Sequence, residues 1–306
     1  MKVGVVGLGL MGSGIAKRLI STRHDDDEDD EIWVYNRDGS RAKPFSKDAK
    51  VAASPLELAS NCDLVITVVT NFDAVREVFF GDAGIAKSKR KEGDGAPLVV
   101  ADASTISPEQ SAYCAQELRK GGIEMLGVPV MGGPAAAEAG ELVPMIAGSR
   151  QAFEKARSVI ERIGKKVYYV SEKDGAANAV KLALNLNIAL IATAVSEGIT
   201  LVKGSGIDPA IFVQVLNNTY FKTGLSEKKG PLMVAGDYAP SFHLKNMLKD
   251  LELANDTAKA RGIALPTAAQ VQQMFRAANN SGYSEMDYTA ICAFLAKING
   301  MREEEK

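Results

Sequence analysis

Histidine and cysteine are scarce in this chain of 306 residues, with two histidines (His24, His243) and three cysteines (Cys62, Cys114, Cys292). So few histidines leave little material for a His-containing triad or a multi-His metal site, and protons must be handled by something else. The cysteines stand far apart without a CxxC pairing, which argues against a zinc site and a disulfide framework and for a reducing compartment. An excess of charge is also missing. The formal net charge is -2 and the pI about 5.9, so no basic field gathers nucleic acid or an anionic membrane, and neither partner is expected. The chain runs from Met1-Lys2 straight into Val3-Gly4-Val5-Val6 without the charged and apolar regions of a signal peptide, and a cytoplasmic protein is expected. The longest apolar stretch, within 176–202, is interrupted by Asn178, Lys181, Asn185, Asn187, Ser196 and Glu197, which fits a buried helix better than a membrane span.

What is present suits a soluble protein of two domains, at 46% hydrophobic and 24% charged residues. Seven short β-rich runs alternate with helical stretches in the first half: Lys2 to Gly7, Glu31 to Tyr35, Asp63 to Val69, Pro97 to Ala101, Ile123 to Leu126, Leu142 to Ala147 and Lys166 to Val170. That alternation predicts βαβ units in a mainly parallel sheet. No strand-like run recurs after Glu172, where Ala-, Leu- and Lys-rich text takes on helical spacing. The expected domains are therefore 1–172, α/β, and 173–306, all-α. Periodicity from Gly175 to about Lys203 predicts a bridging helix roughly 45 Å long. Gly224 to Pro240, rich in Gly, Lys and Pro, reads as a loop. The acidic run Asp25 to Glu31 carries seven negative charges, without which the net charge would be +5, and reads as a solvated loop with no catalytic role.

The strongest local motif is Gly7-Leu8-Gly9-Leu10-Met11-Gly12, a G-x-G-x-x-G that follows the first strand and opens a helix expected over Ser13 to Ile20. In this pattern the first glycine permits a tight turn, the second lets pyrophosphate approach bare backbone, and the third lets helix and strand pack closely. The helix N-terminus then meets the phosphate charge. Where a carboxylate would hold an NAD ribose at the end of the second strand, the chain has Tyr35-Asn36-Arg37. Arg37, with help from Arg41, suits a 2′-phosphate, which favours NADP(H) while leaving NAD(H) possible through Asp38.

Asn178, Lys181 and Asn185 share one face of the long helix by their i−3, i, i+4 spacing, amid Ala176, Ala177, Ala179, Val180, Leu182, Ala183, Leu184 and Leu186. An ammonium in apolar surroundings is costly to bury without a partner, which suits a group that gives up and regains a proton. Lys181 is the candidate proton donor and acceptor for a carbonyl reduced by hydride, and Asn185 would hold the substrate hydroxyl or orient the lysine.

With those residues go Asp102-Ala103-Ser104-Thr105, Val128-Pro129-Val130-Met131-Gly132-Gly133, Gly175 through Lys181 to Asn185, and Lys249-Asp250. On these motifs nearly the whole chain resembles the β-hydroxyacid dehydrogenase family, which includes 3-hydroxyisobutyrate dehydrogenases and glyoxylate/succinic semialdehyde reductases. The resemblance implies an α/β Rossmann domain, then an all-α C-terminal domain joined by a long interdomain helix, in a homodimer or homotetramer. It implies that Lys181 is the catalytic lysine, that Thr105 and Lys249 contact the cofactor, and that Val69 and Thr70 border its adenosine side. Ser104, Met131, Gly132 and Gly133 match the segments that receive the carboxylate of a small substrate. A Ser hydroxyl and two glycine N–H groups are suitable donors for it.

Two departures stand out. Gly127 and Met131 replace the Asp and Ser that the family commonly shows in this segment, and the lysine motif has Ala177 and Leu184 where Gly and Asn are frequent. A substrate bulkier or less polar than those of the named members is one consequence. Two other readings remain at this point: an imine reductase on the same scaffold, which commonly has Asp at the lysine position, and a catalytically silent NADP-binding module. Lys181 argues against both.

Overall fold

The computed structural model describes residues 1–23, 31–88 and 97–301. His24 and the acidic run from Asp25 to Asp30 lie outside the described residues. Glu31 is inside them and is paired with Lys50 at 2.8 Å. The chain divides into two compact units, Met1–Lys181 and Leu182–Lys306.

Among the described residues the first unit has nine strands: β1 Val3–Val6, β2 Ile32–Tyr35, β3 Lys50–Val51, β4 Leu64–Thr67, β5 Val99–Asp102, β6 Glu124–Gly127, β7 Val130–Met131, β8 Val143–Ala147 and β9 Tyr168–Ser171. Six α-helices lie between them among the same residues: α1 Leu10–Ser21, α2 Pro55–Asn61, α3 Phe72–Phe80, α4 Pro108–Lys120, α5 Pro134–Ala139 and α6 Arg150–Ile163. The sheet order is β3-β2-β1-β4-β5-β6-β8-β7, with β9 on the other edge of β8. Pairing is parallel except where β8 meets β6 and β7. The mainly parallel sheet expected from the alternation is present. Two strands went unread, β3 and β7, because two residues are too few to show a period.

Helices cover both faces of the sheet, so its central strands are buried throughout, and β1, β4 and β5 read as continuous apolar runs for that reason. Alternate residues of each strand enter different cores. Leu64 and Ile66 pack with Ile15 and Leu19 of α1 and Phe153 of α6, whereas Val65 and Val100 pack with Leu58, Phe79 and Leu118 of α2, α3 and α4. Several helix starts are legible as side-chain caps: Ser54, Asn71, Ser107 and Ser149 each accept a backbone N–H of the following turn. The chain leaves β1 to form β2 on one side and later β4 on the other, so the C-terminal end of β1 is a topological switch point where ligands bind in such sheets.

Helix α7, Ala176–Gly204, has 29 residues and spans about 43 Å. It follows Gly175, whose φ of +80° and closeness to the Pro108 carbonyl exclude a side chain. The sequence put the boundary at 172/173, before this helix, whereas the two units divide within it, at Lys181/Leu182. The physical reason is that its first turns pack on the sheet: Ala177 lies with Met145 and Ala147, and Asn178 Nδ2 donates to the Ile106 carbonyl at 3.4 Å.

The second unit continues with α8 Pro209–Asn217, α9 Gly224–Ala235, α10 Leu244–Ala260, α11 Pro266–Ala278 and α12 Ile291–Ile298. Its core gathers Ala189 and Ala192 of α7 with Leu244, Met247 and Leu251 of α10, Phe275 of α11 and Phe294 of α12. It is helical, as expected. The loop expected over Gly224 to Pro240 is instead mostly α9. Thr223 and Ser226 form a capping box at its start, Gly230 allows Val213 to approach, and Gly236, at φ +70°, ends it. By length and composition α7 is long and apolar enough to cross a membrane, but its Ala189, Ala192, Val195 and Ile199 belong to the cores of the second unit.

One close approach locks the first unit. A Cβ on Gly14 of α1 would lie 2.9 Å from Ala137 Cβ and 3.1 Å from the Pro134 carbonyl oxygen of α5. Gly14→Val therefore forces the two helices apart and lowers the unfolding free energy by about 1–3 kcal/mol in urea titrations. Unchanged stability would mean that α5 is not held there.

Candidate active site

The glycine loop lies at the switch point. Gly7 has φ +94°, open only to glycine, and a side chain there would strike the Val68 carbonyl. A Cβ on Gly12 would strike the Gly7 carbonyl, so the third glycine brings α1 against the turn. Gly9 differs: nothing lies within 4 Å of its Cβ position, and it leaves a bare backbone surface. Helix α1 starts at Leu10, three residues earlier than expected, because the chain becomes helical within the motif itself. Its N-cap, Gly9, makes no side-chain cap and its first turn has no acidic residue, so its N–H groups suit an anion. Asn36 braces the loop, its Oδ1 accepting Leu8 N–H at 2.8 Å and its Nδ2 donating to the Asp38 carbonyl at 3.0 Å. These features fit a dinucleotide pyrophosphate.

Arg37 is exposed just beyond β2. The alternative ribose partner, Asp38, already caps the turn Gly39–Arg41 by accepting from Ser40 N at 3.0 Å and Ser40 Oγ at 2.7 Å. The Ser40 hydroxyl holds its carboxyl below the usual range.

At the ends of β4 and β5, the sequence left two partners without a role. Thr67 Oγ1 donates to Asp102 Oδ1 at 2.7 Å, and Ser104 N donates to the same oxygen at 3.2 Å. Ser104 Oγ accepts from Val69 N at 3.0 Å. Ser104 is buried, and its hydroxyl ties the Val69-Thr70 segment to the Ser104-Thr105 segment. Val69 and Thr105 are half-buried and Thr70 is exposed. The signal available in the sequence was a polar residue closing each of two apolar strands. Asp102 is fully buried, and burial pushes its carboxyl up to about 6, against the lowering effect of the Ser104 and Thr67 hydrogen bonds.

Lys181 is half-buried on α7, with Nζ 3.2 Å from Sδ of Met131. Gly132 follows at φ +123°, where a Cβ would lie 2.8 Å from Leu142 Cδ2; Gly133 has nothing within 4 Å of its Cβ position and precedes α5. The lysine, Met131, Gly132, Gly133 and the nucleotide loop thus all belong to one unit. Asn178 is not part of an open polar stripe. It is buried, and a side chain on Gly127 would come within 2.9 Å of its Oδ1, which accounts for glycine at that position.

The second unit carries a polar cluster of its own. Asn185 is buried and its Nδ2 donates to Asp250 Oδ2, while Asp250 Oδ1 pairs with Lys249 Nζ at 2.8 Å. A carboxylate only accepts, so it fixes the amide orientation of Asn185, with the carbonyl oxygen turned from Asp250. Asp250 is buried and Lys249 partly so, which sets the pair apart from a solvated surface pair.

A glycine phosphate loop at a switch point, a half-buried lysine against Met131 in the same unit and a helical second unit fit a nucleotide-dependent oxidoreductase. The family models agree: residues 2–171 match the NAD-binding domain of 6-phosphogluconate dehydrogenase, and residues 175–295 match the model described as NAD-binding of NADP-dependent 3-hydroxyisobutyrate dehydrogenase. The chain is 30% identical to glyoxylate/succinic semialdehyde reductase 2 of Arabidopsis thaliana over 96% of its own length and 79% of that protein's. It is 32% identical to L-threonate dehydrogenase of Cupriavidus necator, over 97% and 96%. A crystal structure of 3-hydroxyisobutyrate dehydrogenase from Salmonella typhimurium superposes with a TM-score of 0.83 at 30% identity, over 96% and 99% of the two chains. The chain belongs to the β-hydroxyacid dehydrogenase family. It is an oxidoreductase with an NAD(P)-binding domain, and its named relatives are dehydrogenases and reductases of CH–OH groups.

Asp102 gives this site a pH signature. Its proton is held more tightly in the folded state, where its value is about 6, than in the unfolded chain near 3.8, so its contribution to stability is full at low pH and is lost as pH rises through 6. The loss by pH 7 is about 3 kcal/mol. In urea titrations at a series of pH values, Asp102→Asn should gain about that much relative to wild type between pH 4 and pH 7. A wild-type-to-variant difference that stays constant with pH contradicts this.

Proposed function

We propose that this enzyme uses NADP(H) to interconvert a small β-hydroxy acid, or another short hydroxy acid, and its semialdehyde or keto form, with Lys181 as proton donor and acceptor. The observation that carries the reading is the half-buried Lys181 ammonium group held beside Met131-Gly132-Gly133 within the nucleotide-binding unit. Bound at Gly7 to Gly12, the nicotinamide nucleotide supplies the hydride acceptor or donor. The chain's own residues handle the rest. In oxidation, the C–H electron pair leaves with the hydride, the C=O bond forms, and the hydroxyl proton passes to neutral Lys181 Nζ; reduction returns that proton to the oxygen. The Gly132 and Gly133 backbone suits the substrate carboxylate, since no side chain obstructs it. The carbonyl oxygen of Asn185, one helical turn after Lys181, suits the substrate hydroxyl. Thr105, Val69, Thr70 and Lys249 as cofactor contacts rest on the family resemblance.

Two features support NADP(H) over NAD(H): Arg37 is exposed at the end of β2, and Asp38 is engaged in capping. Relatives named for glyoxylate, succinic semialdehyde and L-threonate support a small carboxylate-bearing substrate. The second unit exposes Leu201, Ile207, Ile211 and Val215, which supports a homodimer or homotetramer. The three cysteines are buried and stand far apart in sequence, which supports a reducing, cytoplasmic setting.

Initial rates with NADPH and with NADH against succinic semialdehyde, glyoxylate and methylmalonate semialdehyde test the reaction. Turnover should favour NADPH, and Lys181→Ala should lose roughly 100- to 10,000-fold in kcat while still binding NADPH. Cofactor binding without turnover of any of these would overturn the reading. Arg37→Ala should raise KM for NADPH by roughly tenfold and leave KM for NADH nearly unchanged. Equal effects on both cofactors would remove Arg37 from 2′-phosphate recognition.

A further inference from the structure

The Lys181 ammonium group touches an oxidisable atom: its Nζ lies 3.2 Å from Met131 Sδ. Met131 is half-buried and is followed by Gly132 and Gly133, both exposed, which leaves its sulfur open to a small oxidant. Met145, packed behind it, is buried and shielded. A thioether is only a weak acceptor, so its contact with the ammonium group is weak. A sulfoxide oxygen is a polar acceptor, and a hydrogen bond to it from an ammonium group is charge-assisted. The unbranched methionine side chain is flexible enough to turn the added oxygen to Nζ, whichever sulfur lone pair has taken it up.

We propose that Met131 is a site of reversible oxidation by a peroxide, and that its sulfoxide captures Lys181 as the ammonium ion and stops proton exchange with the substrate. The inference rests on the reading of Lys181 as proton carrier above and adds a modification that governs it. The sulfur lone pair forms a bond to one peroxide oxygen as the O–O bond breaks. The other oxygen leaves as hydroxide and takes the proton of the oxygen gained, giving water, so methionine is oxidised and the peroxide reduced. A dithiol acting through a methionine sulfoxide reductase reverses the change: the dithiol becomes a disulfide and the sulfoxide oxygen leaves as water. The glycine loop 7–12 is not altered by either step, so nucleotide binding is kept.

Hydrogen peroxide applied to the purified protein is the probe, with oxygen uptake at each methionine read by peptide mass spectrometry. In wild type, kcat should fall by about tenfold or more in step with oxygen on Met131, with NADPH affinity unchanged, and should return after treatment with the reductase and dithiol. Met131→Leu has no sulfur at this place and, whatever its starting rate, should retain that rate through the same treatment. An equal loss in Met131→Leu, full oxidation of Met131 without loss, or a Met131 that takes up no oxygen in the folded protein overturns the inference.

A second readout does not need turnover. In protein labelled with 13C at lysine Cε, the Lys181 signal, assigned by its absence from Lys181→Ala, should titrate at higher pH once Met131 is oxidised and at unchanged pH in peroxide-treated Met131→Leu. If the enzyme turns over no hydroxy acid, the proposed reaction fails, and this titration still decides whether the sulfoxide captures the lysine: a rise confined to the protein that has Met131 sustains it, and no rise, or an equal rise in both, overturns it.

Discussion

The site depends on backbone approaching backbone more closely than any side chain allows. Gly7 turns the chain at the end of β1, Gly12 seats α1 against that turn, and Gly14 admits α5 to the far side of the same helix. Helix α1 is thereby held between the nucleotide loop and α5, the helix that Gly133 precedes. The loop expected to take pyrophosphate and the loop expected to take the substrate carboxylate are positioned from one rigid element. Gly9 and Gly133 complete the logic, since each leaves open space where the others exclude a Cβ by collision. Some of these glycines serve packing and others leave room for a ligand.

A second tie joins the strand ends. Asp102 gathers Thr67 and the Ser104 backbone around one buried oxygen, and Ser104 passes the connection to Val69. This arrangement burdens the fold with a buried carboxyl, and its raised proton affinity reflects that cost. Helix α7 supplies the remaining element. Its first turns are anchored on the sheet through Ala177 and Asn178, so Lys181 belongs to the nucleotide-binding unit and its position is set by that packing.

Much of this was legible in the sequence, and the rest was not for identifiable reasons. The glycine motif and the alternation of strands and helices are local signals with strong stereochemical causes, and the sheet and the all-helical second unit followed from them. Strands β3 and β7 are too short to carry a period, and α9 was hidden because Gly, Lys and Pro suggest a loop until the Thr223 capping box is recognised. At the site, helical spacing grouped Asn178 with Lys181, yet spacing along one helix says nothing of what the opposite wall contains. Asn178 proved to be a buried neighbour of Gly127, and the amide of Asn185 is fixed by Asp250, sixty-five residues away in sequence. The resemblance matched Ser104 to the segment that receives the substrate carboxylate, and the structure adds that its hydroxyl accepts from Val69. Contacts between distant segments decide such roles, and a single sequence does not display them.

The central claim is that one amine, Lys181 Nζ, exchanges the proton while the fold around it positions everything else. Chemical rescue tests that claim most directly: the Lys181→Ala variant, loaded with NADPH and substrate, is titrated with small primary amines of graded basicity. The account predicts that turnover returns in proportion to amine concentration and varies with amine basicity, with cofactor affinity unchanged throughout. A variant that keeps wild-type turnover without added amine would contradict it, as would one that binds both ligands and gains nothing from any amine.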